Sequence, residues 1–203
     1  TQHNVPAWTI FAMFFTVISL GGNVVKEKLS GSFMRLKTLP SNYFISLAAK
    51  QFVYLTVIFC QVIIIFSIGV LVFPKINLPA LNIPENIFGI ATVTFLCGWC
   101  AISYAMCIGV FAQTQEQCNG FGAVSVVLLA AIGGIFVPSF AMPHSFHFIM
   151  NISPLHWCLE SYYGLFLQGA KLKDNFNNIA AIIITTFALQ LLALITLKRK
   201  NLI

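Results

Sequence analysis

Five stretches of this chain, 7–25, 52–73, 87–112, 121–138 and 179–197, contain no Asp, Glu, Lys or Arg. About 20 apolar residues let a helix cross the hydrocarbon of a bilayer, and in that solvent only helices or closed barrels satisfy their own backbones. A single charge at the centre of such a helix would cost roughly 2.5–3.5 kcal/mol on the insertion scale. The expected fold is therefore an all-α integral membrane protein, one transmembrane domain over 1–203 with five spans. Composition agrees: 59% of residues are hydrophobic and only 8% charged, against about 25% charged in soluble domains.

The charges that remain fix an orientation. If 26–50, 113–119 and the tail after Leu197 share one side, that side holds Lys26, Lys28, Arg35, Lys37, Lys50, Lys198, Arg199 and Lys200, and the other only Lys75, Lys171 and Lys173. Cytoplasmic loops carry the excess of Lys and Arg, so the first group is expected in the cytoplasm and the N-terminus of this segment outside. Basic residues flanking apolar runs give no nucleic-acid footprint. A chain that starts outside with Thr1 and has an odd number of spans reads as the later part of a longer protein, with at least one span upstream.

Between the first two runs lies KEKLSGSFMRLKTLP, 26–40. Leu29, Phe33 and Leu36 fall at i, i+4 and i+7, one face of a helix, with Arg35 and Lys37 elsewhere. Ser30 or Gly31 can start this helix, and Pro40 ends it. Two accounts stay open: a surface helix that binds a soluble partner, or a solvated loop that binds lipid headgroups. The preceding Gly21-Gly22-Asn23 is expected to be a weak, flexible exit from the first span.

Elsewhere the outer loop 74–86, with three prolines, reads as a stiff connector. Cys97-Gly98-Trp99-Cys100 sits mid-span without the context of a redox or metal motif, and small residues at a helix contact account for it better. Cys60, Cys97, Cys100 and Cys107 in spans, Cys118 inside and Cys158 outside make no disulfide framework. Gly122, Ala130 and Gly134 form a small-residue stripe that serves either packing within the chain or a dimer or translocation-path contact. Residues 139–178 are aromatic-rich and broken by proline and glycine; they are expected to form two re-entrant or interfacial helices, about 143–151 and 154–168, with Glu160 as a tether. His144, His147 and His156 are too poorly spaced for a metal site.

The chain lacks a GxxxxGK phosphate loop, GxSxG and HExxH, and no pair of carboxylates is expected within reach of each other in one region. It is not expected to be an enzyme, to hydrolyse a nucleotide or to bind a metal. Any energy source must then be a partner. A secondary carrier is disfavoured because no ionisable group lies mid-span.

Two separated motifs in order resemble the permease subunits of ABC-2 type transporters, over essentially the whole chain. The first is Lys26-Glu27-Lys28, Gly31-Ser32, Arg35-Leu36, Thr38-Leu39-Pro40 and Lys50. The second is Gly134, Phe136 and Pro138, then Met142-Pro143, then Ser153-Pro154-Leu155 with Glu160. Lys28 stands where Arg is frequent in the family, and cysteines are unusually many.

The resemblance implies the last five spans of a six-span subunit of an ATP-binding-cassette exporter, in a bacterial plasma (inner) membrane. Such a subunit pairs with a second permease, the same or different, and with cytoplasmic ATPases that hold ATP and Mg; this chain would bind neither. Segment 26–45, with Glu27, Leu29, Gly31, Phe33, Arg35, Leu36, Leu39 and Pro40, would be the coupling helix docking on the ATPase. Phe11, Phe14, Phe15, Phe121, Gly122, Ala130 and Gly134 would line the path, hinting at a drug-like or lipidic cargo. Pro138, Pro143, Pro154, Leu155 and Glu160 would belong to an outer hairpin over 139–178. The competing class is a membrane scaffold or assembly protein whose basic loop binds lipid.

Overall fold

The computed structural model describes residues 1–31, 43–136, 143, 147–169 and 172–199, with backbone alone for 43–46 and 147. No strand occurs among them. In chain order the helices are α1 (Asn4–Phe14), α2 (Gly22–Leu29), α3 (Tyr43–Ser67), α4 (Ile87–Phe111), α5 (Gln115–Ile132), α6 (His147–Met150), α7 (Pro154–Phe166) and α8 (Phe176–Arg199). A π-helical turn, Val17–Gly21, joins α1 to α2 in one rod, Asn4–Leu29. Gly21 and Gly22 are thus inside a helix, and the expected flexible exit is absent. A π-turn and a 3₁₀ turn likewise carry α3 on to Ile76.

Four of these elements are long and apolar enough to cross a membrane: Asn4–Leu29, Leu47–Ile76, Ile87–Phe111 and Phe176–Arg199. The expected span 121–138 corresponds to α5, which differs from the other four. It begins six residues earlier, with the polar turn Gln115-Glu116-Gln117, and ends at Ile132 before Gly134 turns away with φ 92°. Its 18 residues rise only about 27 Å.

Helix α4 is the axis of the bundle. In its apolar stretch 78% of residues are buried, against 22% for the α3 rod and 17% for α8. A helix apolar on all sides is either a core helix or a lipid-facing one, and small residues decide between the two here. Gly98 admits Ile58 and Leu55 of α3, where an added Cβ would lie 3.1 Å from Ile58 Cγ2. This is the helix contact expected for the Cys97–Cys100 segment, and both cysteines are fully buried.

The closest crossing involves the rod. A Cβ on Gly109 of α4 would lie 2.7 Å from the Gly21 carbonyl oxygen and 3.0 Å from Gly21 Cα. A Cβ on Gly122 of α5 would meet Val17 Cγ2 at 2.8 Å, and one on Gly21 would meet Cys118 Sγ at 2.8 Å. Rod and α4 therefore approach almost backbone to backbone, and α5 packs on the rod through the Val17 and Cys118 side chains. Such approach is what small residues supply in lipid, where dispersion replaces the hydrophobic effect as the main attraction between helices.

Two helix starts are capped by nearby side chains. Asn86 accepts from Gly89 N at 2.9 Å to start α4, and Thr114 accepts from Gln117 N at 3.1 Å to start α5. The loop 77–86 folds back, with Leu81 buried against Gly69 and its N–H donating to the Gly69 carbonyl at 3.0 Å.

Gly109→Ala is predicted to destabilise the protein by about 1–3 kcal/mol through overpacking against fixed backbone. Gly120→Ala, on an open face of α5 with nothing within 4 Å, should be neutral or stabilising by up to ~1 kcal/mol. Thermal melting of both variants in mild detergent checks the contrast; equal melting shifts would contradict the close crossing.

Candidate functional site

The last turn of α2 carries Lys26, Glu27 and Lys28, three successive residues that point in three directions. Lys28 reaches the C-terminal end of α4, where its Nζ donates to the carbonyls of Val110 at 3.0 Å and Gly109 at 3.4 Å, and to that of Ala112. The last carbonyls of a helix lack partners within it and carry partial negative charge. Lys28 supplies both donor and cation. Glu27 turns to the other side and forms an ion pair with Lys50 of α3. A turn earlier, Asn23 Nδ2 donates to Tyr54 Oη at 2.7 Å. The polar end of the rod is thus braced against α3 and α4 together.

Leu29 is the final residue of α2 and is 67% exposed. Gly31 follows with φ 70°, a left-handed backbone that interrupts helical register. Leu29 thus closes α2, and the helix expected to start at Ser30 or Gly31 falls on residues outside the described ones. Phe33, Arg35, Leu36, Leu39 and Pro40 lie outside the described residues. Glu27, expected at the coupling surface, is engaged within the chain by Lys50.

Of the residues expected along a path, the structure separates two sets. Phe14 is fully buried and meets Tyr104 at 5.9 Å between ring centroids. Gly122, Ala130 and Gly134 are buried as well, so the small-residue stripe serves packing within the chain and these four do not line an open surface. Phe11 and Phe15, 4.8 Å apart, are only half-buried. With Trp8 and Phe136, each within 5.6 Å of Phe11, they form an aromatic face at one end of the rod. Phe121 is 68% exposed at the other end of α5. It lines, with Phe111 and Ile108, a hollow of 230 Å³.

Among the described residues of the expected hairpin are one turn, α6, and one longer helix, α7. Thirteen residues rise about 20 Å and cannot cross a bilayer. Helix α7 is inserted nonetheless, since Leu155, Cys158 and Tyr162 are fully buried and Tyr162 Oη bonds Thr94 Oγ1 of α4 at 2.7 Å. Pro154 sits in its first turn, where a missing N–H costs nothing. Pro143 is exposed, and Pro138 lies outside the described residues.

Glu160 is half-buried and makes no ion pair among the described residues. The tether expected of it is made by others. Ser153 Oγ donates to the Leu129 carbonyl at 2.9 Å, and the His156 ring lies 3.4 Å from the Gly133 carbonyl. Sequence reasoning passed over both; Ser153 before Pro154 at a helix start was the available signal. Tyr163 Oη also meets His3 Nδ1 at 3.1 Å, and burial together with the Glu160 charge raises the Tyr163 phenol above its usual range, keeping it protonated. Among the described residues no cluster of His, Cys, Asp or Glu could hold a metal.

Apolar helices of membrane-crossing length around a buried axis, with charge gathered at the ends of the bundle, define a multi-pass membrane protein with no catalytic constellation among its described residues. The family model for ABC-2 type transporters matches residues 1–167, and the chain belongs to that family. It is a family of permeases, not itself catalytic. Comparison with curated proteins gave no match.

Lys28→Met keeps the aliphatic stem but leaves the α4 carbonyls without their cation, and is predicted to cost about 1–3 kcal/mol. Lys26→Met, exposed in the same turn, should stay within about 0.5 kcal/mol of wild type. Melting curves of the two variants decide; an equal loss in both would remove the cap from the account.

Proposed function

We propose that this chain is the membrane-spanning permease subunit of an ATP-binding-cassette exporter, driven by a separate cytoplasmic ATPase. The observation that carries the reading is the rod Asn4–Leu29. One continuous helix joins the braced turn beside segment 32–42 to the aromatic face of Trp8, Phe11 and Phe15, so force applied at one end reaches the other.

In this reading α5 is the fifth span, the basic ends of α2, α3 and α8 lie in the cytoplasm, and the N-terminus of the segment lies outside. The coupling surface is Leu29 with Phe33, Arg35, Leu36, Leu39 and Pro40, at the end of a rod that Glu27 holds to Lys50. Two permeases, identical or different, meet across the aromatic face and Phe121, which suits an apolar or amphipathic cargo. Helix α7, tied to the end of α5 by Ser153 and His156, closes the outer side. ATP and Mg²⁺ bind the partner ATPase; closing the ATPases favours one tilt of the rod because the docked contacts differ between the two states.

The test is purification of the full-length protein from native membranes in mild detergent. A P-loop ATPase should co-purify at about one per permease, and Leu36→Asp should remove it while leaving the melting temperature unchanged. Loss of the ATPase in both proteins would favour a membrane scaffold instead. A second expectation concerns the pairing: Phe121→Cys should crosslink to a second permease in membranes, and Phe14→Cys, buried within one chain, should not.

A further inference from the structure

A cleft of 290 Å³ opens between α3, α4 and α8. Its walls are apolar, with Leu47, Met106, Leu194 and Leu197 among them, but two carboxamides face it, Gln51 and Gln190. It is built from other helices than the aromatic face, which belongs to α1 and the end of α5.

The two amides are in different situations. Gln190 Nε2 donates to Ser103 Oγ at 3.2 Å, so the deeper amide is held in place. Gln51 Nε2 has the Met106 sulfur at 3.6 Å. A thioether is a weak acceptor, and a donor in low dielectric gains most from a strong one. The cleft therefore presents a donor suited to a ligand that only accepts, such as an ester carbonyl.

Charge beside the cleft specifies the rest. Lys198 and Arg199 form the last turn of α8, directly after Leu197, and both are exposed. Helices α3 and α8 run antiparallel here, with Leu47 and Leu197 lining the cleft at the end nearer Lys198 and Arg199 and Gln51 about a turn further along. One helical turn is about 5.4 Å, comparable to the step from a phosphate to the ester groups below it. From Gln190 to Arg199 the helix rises about 14 Å, a depth that accepts the first part of an acyl chain.

We propose that this cleft binds one anionic phospholipid from the leaflet at the basic end of α8. Its phosphate lies at Lys198 and Arg199, an ester carbonyl accepts from Gln51 Nε2, and one chain enters between Leu47, Met106 and Leu194. The site rests on the multi-pass placement of the chain and is independent of the ATPase.

Native mass spectrometry of the full-length, delipidated protein tests it, using phosphatidylglycerol and phosphatidylcholine of equal chain length. Wild type should retain one phosphatidylglycerol about tenfold more tightly than phosphatidylcholine, the size expected from one to two basic residues near a membrane surface. The double change Lys198→Gln with Arg199→Gln, on exposed positions, should abolish that preference. Gln51→Leu should weaken both lipids by a similar factor, and Ala193→Leu, which fills the cleft, should remove the single tight lipid. Lys173→Gln on the other side should change nothing. Equal binding of the two lipids by wild type, or a preference that survives neutralisation of both basic residues, would overturn the assignment.

Discussion

The near-contact of backbone at Gly21 and Gly109 is the constraint on which the rest of the structure depends. In lipid, helices gain little from hiding apolar surface, and association rests on dispersion and on hydrogen bonds across the interface. Where an added Cβ on Gly109 would lie 2.7 Å from the Gly21 carbonyl, the rod and α4 cross with no room for a side chain between them. That crossing places Lys28 within reach of the carbonyls that end α4, and those carbonyls in turn hold the polar end of the rod. Local sequence, helix packing and the position of the charged turn are thus consequences of one close approach.

The same physics explains why the bundle has an inside and an outside without much polarity to distinguish them. Helices α3 and α8 expose large residues such as Phe52, Ile64, Ile184 and Leu191, which suits hydrocarbon. Helix α4 carries glycine, alanine and cysteine where neighbours press on it. Polar side chains inside the bundle bond locally or across it, as Tyr162 does with Thr94, because an unmet donor there would cost roughly 1–3 kcal/mol.

Much of this was legible in the sequence. Uncharged runs of sufficient length marked the spans, and the motifs around Lys26–Lys28 and Ser153-Pro154-Leu155 marked the family. What composition could not show was which face each residue takes. Phe11, Phe14 and Phe15 are the same residue type within five positions, yet only Phe14 is fully buried. Its membership of Ile10, Met13, Phe14 and Val17, spaced i, i+3, i+4 and i+7 and all fully buried, was the available signal. The flexible exit assigned to Gly21-Gly22 failed for a related reason: a glycine pair reads as weakness locally, and its use as a close contact depends on residues some 90 positions away. Glu160 drew attention as an acid in an aromatic-rich region, while an uncharged serine and a histidine made the bonds. Helix α5 remained ambiguous because its polar first turn and early end leave it short.

The central claim is that the rod Asn4–Leu29 moves as one body between a driven end and an aromatic face shared by two permeases. Pulsed dipolar spectroscopy on the assembled transporter measures this directly, with spin labels at Trp8 and Lys26 of one chain and, separately, at Phe121 of both chains. A rigid rod predicts an unchanged Trp8–Lys26 distance and a shift of several ångströms between the two Phe121 labels when the ATPases are trapped with nucleotide. A Trp8–Lys26 distance that changes on trapping, or a Phe121 pair that does not move, would contradict it.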